Sequence, residues 1–318
     1  MTSMFLGIDG GGTKTAFVLI DDSGRLLARH ESTTSYYLEI GFDALRTLLQ
    51  DGVQAVLGQA GVPAFDIAHT FAGLPAHGED SALLASFDGL LADLLPRSTV
   101  GNDMVCSWAG SLAGADGISL VAGTGSIAYG EWLGRSARCG GWGEVFGDEG
   151  SAHWLAREVL ALFSRMADGR AERGPLLGLV RDHFGLTHDL DLCAAINGSA
   201  ARSGFAQIAR LATAAAHAGD AQARQLLVRA GDELAALAAG VARNLGVSGI
   251  QAVPVSYSGG VFAAAELVLG PLQAALSRRL PGAVLTTPRF GPELGAALYA
   301  ARLAGRPLSD QALERLAR

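Results

Sequence analysis

Two short glycine-rich segments and several carboxylates are the residues of this chain best suited to chemistry. Asp9 precedes the sequence GGGT at residues 10–13, and a second turn, GTGS, occupies residues 123–126. Because glycine lacks a Cβ, the N–H groups of such a turn can converge on one anion. A carboxylate beside that anion, here Asp9, could bind a hydrated Mg²⁺. A glycine-rich hairpin turn is the alternative for the first segment alone, but the two segments together favour phosphate binding.

Two common nucleotide-binding fingerprints do not match these turns. Residues 7–12 have the glycine spacing of a P-loop, but Thr13 and Lys14 follow where Lys and then Ser or Thr are required. Neither turn has the G-x-G-x-x-G spacing of dinucleotide-binding proteins. Lys14 could contact a phosphate, or it could be a solvated lysine at the start of an exposed strand.

A third candidate is Asp103, which follows Asn102 where a strand is predicted to meet a helix. Both residues could simply cap the helix, because Asn and Asp accept hydrogen bonds from first-turn N–H groups. Ligands of open α/β domains bind at the carboxyl ends of strands, however. A carboxylate there could take the proton from a substrate hydroxyl that attacks a γ-phosphate. Asp103 is therefore a candidate general base as well as a candidate helix cap.

The segment of residues 140–151, GGWGEVFGDEGS, combines glycines with an indole ring and carboxylates. The acidic residues are Glu144, Asp148 and Glu149. Sugar hydroxyls donate to carboxylates while the apolar sugar face packs on an aromatic ring, so the segment favours sugar binding. The alternative is a glycine-rich connection in which Asp148 or Ser151 caps the next helix and Trp142 fills the core.

The elements that must position these residues are strands and turns that recur in both halves. Apolar runs at residues 4–8, 15–20 and 26–28 predict an antiparallel meander, and alternating strands and helices follow, which indicates a mixed sheet. The order strand, glycine turn, strand returns at residues 118–132, as expected of a duplicated domain that faces its copy across a cleft. Helices are expected at residues 42–59, 81–94, 151–166, 205–217, 221–244, 263–280 and 292–303. A last buried strand, residues 252–257, ends in SGG at 258–260, where the backbone could approach a flat ligand.

Length and charge limit the number of domains and the class of ligand. A chain of 318 residues fits two domains, which we place at residues 1–115 and 116–318; the second is more helical, and its final helix could pack back on the first. The 24 Lys and Arg against 31 Asp and Glu give a net charge of −7, which argues against nucleic-acid binding. A small-molecule substrate is expected.

Cysteine spacing and hydropathy indicate the compartment. Cys106, Cys139 and Cys193 are widely spaced, which favours neither a disulfide framework nor a zinc ribbon. The start of the chain lacks a signal-peptide pattern, and apolar stretches such as residues 234–245 are interrupted by charge, here Arg243. We expect a cytoplasmic protein that does not bind membranes.

Taken in order, these motifs resemble the N-acetylglucosamine kinases of the BadF/BadG/BcrA/BcrD ATPase group, within the actin, sugar-kinase and heat-shock ATPase superfamily. The resemblance extends from residue 4 to about residue 300 and includes GAA at 295–297; GGWG at 140–143 with GDEGS at 147–151 is its most specific part. It implies an α/β fold of two actin-like, ribonuclease H-like domains with an interdomain cleft.

The resemblance also assigns roles to individual residues. Asp9 would help organise Mg²⁺, through water, and Asp103 would be the base at the sugar 6-hydroxyl. The ATP-binding residues that it implies are Gly11, Gly12, Thr13, Lys14, Gly123, Thr124, Gly125, Gly219, Gly259 and Gly260, of which the last three border the adenosine. The sugar-binding residues that it implies are Ser35, Asp103, Ser126, Gly141, Trp142, Gly143, Glu144 and Asp148.

The activity that the resemblance implies is transfer of the ATP γ-phosphate to N-acetylglucosamine by a homodimer. Ser35 stands where the family commonly has a sugar-binding asparagine, so glucosamine or another hexosamine stays open. One alternative is an ATP-driven activator of a 2-hydroxyacyl-CoA dehydratase, whose iron–sulfur cluster would need Cys106 and Cys139 from two subunits. The other alternative is a sugar or nucleotide sensor that binds without turnover.

Overall fold

The computed structural model describes residues 2–198 and 202–318, which form two compact units. The first unit comprises the chain up to Ser119 together with Thr287–Arg318, and the second comprises Leu120–Thr286. Each unit contains a five-stranded sheet with helices packed on it, which confirms the α/β class. The division at residues 115 and 116 stays a prediction about domains.

The strands and helices of the described residues are numbered in chain order. The strands are β1 (Met4–Gly10), β2 (Thr15–Asp21), β3 (Leu26–Ser32), β4 (Ile67–Leu74), β5 (Ser98–Asn102), β6 (Gly117–Ala122), β7 (Ser126–Trp132), β8 (Arg135–Gly140), β9 (Val253–Ser258) and β10 (Ala283–Thr286). The helices are α1 (Tyr37–Ala60), α2 (Leu84–Asp88), α3 (Asp103–Leu112), α4 (Ala152–Ala167), α5 (Pro175–Phe184), α6 (Asp191–Gly198), α7 (Arg202–His217), α8 (Ala221–Leu245), α9 (Ala265–Arg279), α10 (Pro292–Leu303) and α11 (Asp310–Leu316).

The sheet of the first unit has the strand order β3-β2-β1-β4-β5. β1, β2 and β3 form the predicted antiparallel meander, and β4 and β5 continue parallel to β1. β1 and β2 are almost entirely buried because α1 covers one side of the sheet and α10 packs against β1. Gly7 lets α10 approach, since a Cβ at this position would overlap the backbone of Ala297.

The sheet of the second unit repeats this arrangement. Its order is β8-β7-β6-β9-β10 when it is read from β8, so the first strand is again central, with the next two strands on one side and the last two on the other. β7 and β8 are antiparallel, and β9 and β10 are parallel. The shared strand order confirms the duplication that the recurring turns predict.

Several elements differ from the expectations. The helix expected at residues 81–94 is a 3-10 turn at Ser81–Leu83 followed by α2, because Gly89 ends the helix while Leu90 and Leu91 are buried in turns. α1 begins at Tyr37 and carries a break at Gly41, where φ is 79°. The polar edge strand β8, the short β10 and helices α5 and α6 were not predicted.

The C-terminal helices belong to the first unit. α10 packs on α3, β1 and β4, and α11 lies against the turn between β2 and β3, where a Cβ at Gly24 would overlap the carbonyl of Ala312. In the part of the chain described, no helix is both long enough and apolar enough to cross a membrane.

Candidate functional site

The carboxylates of Asp9 and Asp103 lie at the ends of neighbouring strands in the first unit. β1, β4 and β5 are parallel, with Asp9 opposite Gly73 and Gly73 opposite Gly101, so their carboxyl ends are level. Asp103 begins α3 directly after β5 ends. Both side chains are half-buried. The sheet therefore brings together two acidic residues that are 94 positions apart in the sequence.

Crowding of acidic groups changes the ionisation of Asp9. Burial, together with the negative charges of Asp103 and Glu293, raises the pKa of Asp9 to about 8, although a hydrogen bond with Cys106 and the charge of Lys14 act in the opposite direction. A cation at this position would relieve the repulsion, and carboxylate oxygens are ligands that Mg²⁺ accepts. No group of three or more His, Cys, Asp or Glu side chains within the described residues could hold a metal ion directly, so the role of Asp9 in binding Mg²⁺ through water stays a prediction. Glu293 comes from α10, and no local sequence signal places it here.

The helix cap at α3 is Asn102, and Asp103 is the first helical residue. The Oδ1 atom of Asn102 accepts from the N–H of Met104 at 3.1 Å, and its Nδ2 atom donates to the carbonyl of His77 at 3.0 Å. One buried side chain thus fixes both the start of α3 and the loop after β4. The capping that the sequence left open is assigned to Asn102.

The first glycine turn connects β1 to β2, with Gly10 opposite Thr15 as the last pair of the ladder. Gly12, Thr13 and Lys14 are exposed, and a Cβ built at Gly12 would meet no atom within 4 Å. The Lys14 Nζ atom lies 2.7 Å from Glu31 on β3. The open, glycine-lined turn is compatible with an incoming phosphate. The assignment of Gly11, Gly12, Thr13 and Lys14 to ATP stays a prediction.

The segment that follows β3 is attached to this turn. The hydroxyl of Thr34 and the N–H of Ser35 both donate to the carbonyl of Gly11, each at 3.2 Å. Thr15 donates to the carbonyl of Thr33 at 2.8 Å. The Ser35 hydroxyl is fully buried and has no hydrogen-bond partner within the described residues. The structure therefore brings the predicted sugar residue Ser35 into contact with the predicted phosphate turn, and Thr34 is a contributor that sequence reasoning missed.

The second glycine turn, between β6 and β7, is held by the acidic segment. The N–H of Ser126 donates to Asp148 Oδ1 at 3.4 Å, and the Ser126 hydroxyl donates to the carbonyl of Glu149 at 2.7 Å. A Cβ at Gly125 would lie 2.7 Å from Asp148 Oδ2. The carbonyls of Gly123 and Thr124 accept from the first N–H groups of α4. Gly123, Thr124, Gly125, Ser126 and Asp148 thus form one local structure.

The acidic segment itself projects apolar side chains. Trp142 is 69% exposed, so the alternative in which it fills the core is wrong. Gly141 and Gly143, at φ 68° and 88°, are left-handed and turn the chain beside it. The carbonyl of Gly143 accepts from Gly147 at 2.9 Å, and that of Glu144 accepts from Arg157 at 3.2 Å. The exposed indole is available to pack on a ligand.

The sequence left open whether Asp148 or Ser151 caps the next helix, and the structure assigns the cap to Ser151. Ser151 caps α4 by accepting from the N–H of Trp154 at 3.1 Å. Asp148 is 8% exposed, with a left-handed φ of 57°, and burial raises the pKa of its carboxyl group although the N–H of Ser126 opposes this. A buried, left-handed aspartate is a costly arrangement, which is common at functional sites.

The predicted adenosine residues lie in two places within the second unit. Gly259 has a φ of 105°, and a Cβ there would overlap the carbonyl of Ala122 and lie 2.9 Å from the nitrogen of Gly123, so it adjoins the second glycine turn. Gly260 begins a 3-10 turn with open space beside it. Gly219, with φ 91°, precedes Asp220, which caps α8 and accepts from the N–H of Leu176. The adenosine role of these three glycines stays a prediction.

Two sheets of equal strand order, each with a glycine turn between its first two strands, define an actin-like ATPase fold. The profile of the BadF/BadG/BcrA/BcrD ATPase family matches residues 6–300, and the chain belongs to this family.

Named relatives and a solved structure agree with this assignment. The chain is 28% identical to the N-acetyl-D-glucosamine kinase of Dictyostelium discoideum over 93% of its length and 97% of the relative. It is 29% identical to the N-acetylmuramic acid/N-acetylglucosamine kinase of Clostridium acetobutylicum over 72% of its length and 76% of the relative. A Chromobacterium violaceum protein assigned as an N-acetylglucosamine kinase superimposes with a TM-score of 0.71 at 29% identity, covering 93% of this chain and 98% of that one.

Proposed function

We propose that this protein transfers the γ-phosphate of ATP to the 6-hydroxyl of an amino sugar, N-acetylglucosamine or a related hexosamine such as glucosamine. The observation that carries the proposal is the placement of Asp9 and Asp103 at level strand ends beside an open glycine turn. The relatives named above act on amino sugars, which supports this class of acceptor.

Asp103 acts as the general base in the proposed reaction. Its carboxylate takes the proton of the sugar 6-hydroxyl as that oxygen forms a bond to the γ-phosphorus, and the bond from phosphorus to the β-phosphate oxygen breaks to release ADP. A positioned base of this kind contributes roughly 10²- to 10⁴-fold in rate. Most of the remaining acceleration comes from holding the reactants in line and stabilising charge on the phosphoryl oxygens.

The glycine turns at residues 10–13 and 123–126 bind ATP phosphates in this proposal. Gly11 and Gly12 carry no side chain that would keep a phosphate from their backbone N–H groups. The N–H of Gly123 donates to the carbonyl of Gly125 at 2.9 Å, so in the second turn Gly123 contributes open space beside the backbone. Asp9 would hold Mg²⁺ through water, and the bound metal would neutralise charge on the phosphate oxygens. Trp142, Glu144 and Asp148 recognise the sugar through its apolar face and its hydroxyls.

The test is a coupled assay of ADP release with MgATP and a panel of acceptors. N-acetylglucosamine, glucosamine, N-acetylmuramic acid and glucose are compared, and 6-deoxy-N-acetylglucosamine serves as an acceptor that lacks the reacting oxygen. We expect turnover with at least one amino sugar and none with the 6-deoxy compound. Turnover of the 6-deoxy compound at the rate of N-acetylglucosamine would refute transfer to the 6-hydroxyl.

Asp103→Asn tests the base with its fold intact. Asparagine has nearly the same size, so ATP binding is kept, while kcat falls by about 10²- to 10⁴-fold because the amide cannot accept the proton. Asp51→Asn on the exposed face of α1 is the matched control and keeps the parent rate. Equal rates for Asp103→Asn and the parent protein would show that another group is the base.

The structure gives a reason to prefer the kinase over an iron–sulfur activator. Cys106 is fully buried, its Sγ atom lies 3.8 Å from the carbonyl of Ile8, and burial raises the pKa of its thiol well above the usual value. A cluster needs accessible thiolates, which this environment disfavours. A non-catalytic sensor would bind the sugar or ATP without releasing ADP, so the same assay distinguishes it. The cytoplasmic location and the homodimer stay predictions.

A further inference from the structure

The carbonyl of Gly11 is the point where two predicted subsites share hydrogen bonds. It accepts from the Thr34 hydroxyl and from the N–H of Ser35, both at 3.2 Å. Gly11 belongs to the exposed turn that connects β1 and β2, and residues 33–36 connect β3 to α1. A single backbone oxygen therefore links the turn assigned to ATP phosphates with the segment assigned to the sugar.

Thr34 makes two bonds with one hydroxyl group. Its Oγ1 atom donates to the carbonyl of Gly11 and accepts from the N–H of Tyr36 at 3.1 Å, so it holds the turn on one side and its own segment on the other. A further link runs from the Thr15 hydroxyl to the carbonyl of Thr33 at 2.8 Å. The segment cannot shift without straining or breaking these bonds.

Ser35 provides an independent sign that a ligand completes this site. Its side chain is fully buried, and its hydroxyl has no partner within the described residues. A buried hydroxyl without a hydrogen bond is unfavourable, so a ligand group that pairs with it is favoured. The same hydroxyl lies against Gly10, where no Cβ could be accommodated. Pairing of a sugar with Ser35 would thus act directly on the backbone of the glycine turn.

The segment that begins at Thr33 continues into α1 as far as a break in the helix. α1 contains a break at Gly41, where φ is 79° and ψ is 161°, and a Cβ there would meet no atom within 4 Å. The stretch from Thr33 to Gly41 is therefore joined to the turn at one end and interrupted at the other.

We infer that Thr34 is a positioning residue that couples sugar binding to ATP binding through the carbonyl of Gly11. The inference rests on the proposed function. When sugar orders residues 33–36, the hydrogen bonds of Thr34 and Ser35 hold the glycine turn in place. Binding of ATP then causes a smaller loss of conformational entropy in the turn. Because such coupling is reciprocal, ATP raises the affinity for sugar by the same factor. Neither ligand needs to touch Thr34.

The decisive comparison is Thr34→Val against Thr34→Ser. Valine keeps the shape and loses both hydrogen bonds, whereas serine keeps the hydroxyl. The measured quantity is the ratio of the ATP dissociation constants without and with saturating amino sugar, obtained by titration calorimetry with a non-hydrolysable ATP analogue. We expect Thr34→Val to lower this ratio by about two- to tenfold, the range of one net hydrogen bond, and Thr34→Ser to retain it.

A matched control comes from the same unit. Thr47 donates its hydroxyl to the carbonyl of Asp43 at 3.0 Å on the exposed face of α1. Thr47→Val removes a bond of the same kind and leaves the coupling ratio at the parent value. A general loss of stability would affect both valine variants, so only a specific role of Thr34 separates them.

The outcomes distinguish this inference from the proposed function. If Thr34→Val retains the parent ratio while the protein phosphorylates amino sugars, the coupling through Gly11 is wrong and the kinase assignment stands. A parent protein in which sugar leaves ATP affinity unchanged also refutes the coupling. If no amino sugar is phosphorylated by the parent protein, the proposed function itself fails. A ratio lowered equally by Thr34→Ser would show that the hydroxyl is not responsible.

Discussion

Replacing Gly12 or Gly123 by alanine should show whether glycine is required at these positions for folding or for phosphate binding. A Cβ at either position would meet no atom within 4 Å, and neither residue has a left-handed φ. The protein alone therefore gives no reason for glycine there. If phosphates approach these turns closely, the added methyl group would stand where the ligand must lie.

Both effects can be given magnitudes. A Gly→Ala change at a compatible backbone position raises the free energy of unfolding by about 0.4–1 kcal/mol, since the unfolded chain loses freedom. Loss of one hydrogen bond to a charged phosphate costs about 1.5–3 kcal/mol. With 1.4 kcal/mol for each factor of ten, ATP binding weakens by about 10- to 150-fold. We expect Gly12→Ala and Gly123→Ala to be at least as stable as the parent protein and to bind ATP poorly.

The assays are urea unfolding and calorimetric titration with an ATP analogue. Gly58→Ala is the control, because Gly58 lies on the exposed side of α1 and a Cβ there also meets no atom within 4 Å. It should gain stability, as alanine favours helix, and keep the parent ATP affinity. Parent-like ATP affinity in both turn variants would refute phosphate binding by these turns. Unfolding of either variant would refute the steric argument.

Three further variants test other parts of the structure. The pKa of Asp9 is about 8 in the folded protein and about 3.9 in an unfolded chain, so folding takes up a proton between these two pH values. The contribution of Asp9 to the free energy of unfolding is therefore full below about pH 4. It is lost as the pH rises towards 8, by up to about 1.4 kcal/mol per pH unit. Asp9→Asn should therefore flatten the pH dependence of urea stability between pH 5 and 8 in buffer with a metal chelator, and an unchanged slope would contradict the buried environment. Asn102→Ala should lower the free energy of unfolding by about 1–2 kcal/mol through loss of the α3 cap, while Asn102→Asp keeps much of it; equal stabilities for parent and alanine variant would speak against the cap. Gly259→Ala should lower the free energy of unfolding by about 1–3 kcal/mol or more, because it combines a left-handed φ with overlap on Ala122. Gly260→Ala should leave stability nearly unchanged. A thermal melt in which Gly260→Ala is the less stable variant would exclude this packing.

Local sequence signals predicted the elements that carry their own pattern. The meander of β1, β2 and β3 follows from alternating apolar runs and the glycine turn, and the long helices α4 and α8 follow from recurring alanine and leucine. The expected helix at residues 81–94 failed because Gly89 and buried leucines in turns outweighed helix propensity. Polar β8 was not predicted because an edge strand needs little apolar content.

The sequence by itself determined which residue types are available and where the chain turns. Asp9 beside three glycines, Asp103 at the end of a strand and the segment from residue 140 to 151 are local patterns, and so is the family that they indicate. The sequence alone shows their resemblance to amino-sugar kinases, because short motifs determine backbone shape and chemistry locally.

Only the tertiary structure decided which distant residues share a charge or a hydrogen bond. The parallel pairing of β1, β4 and β5 places Asp103 near Asp9, and the return of α10 adds Glu293. Burial and these two charges raise the pKa of Asp9, and no local sequence pattern predicts any of the three causes. The bonds of Thr34 and Ser35 to Gly11 arise because β3 lies beside β2, which brings the segment after β3 to the first turn. Such contacts depend on strand register and packing, which are set by the whole core rather than by any local run of residues.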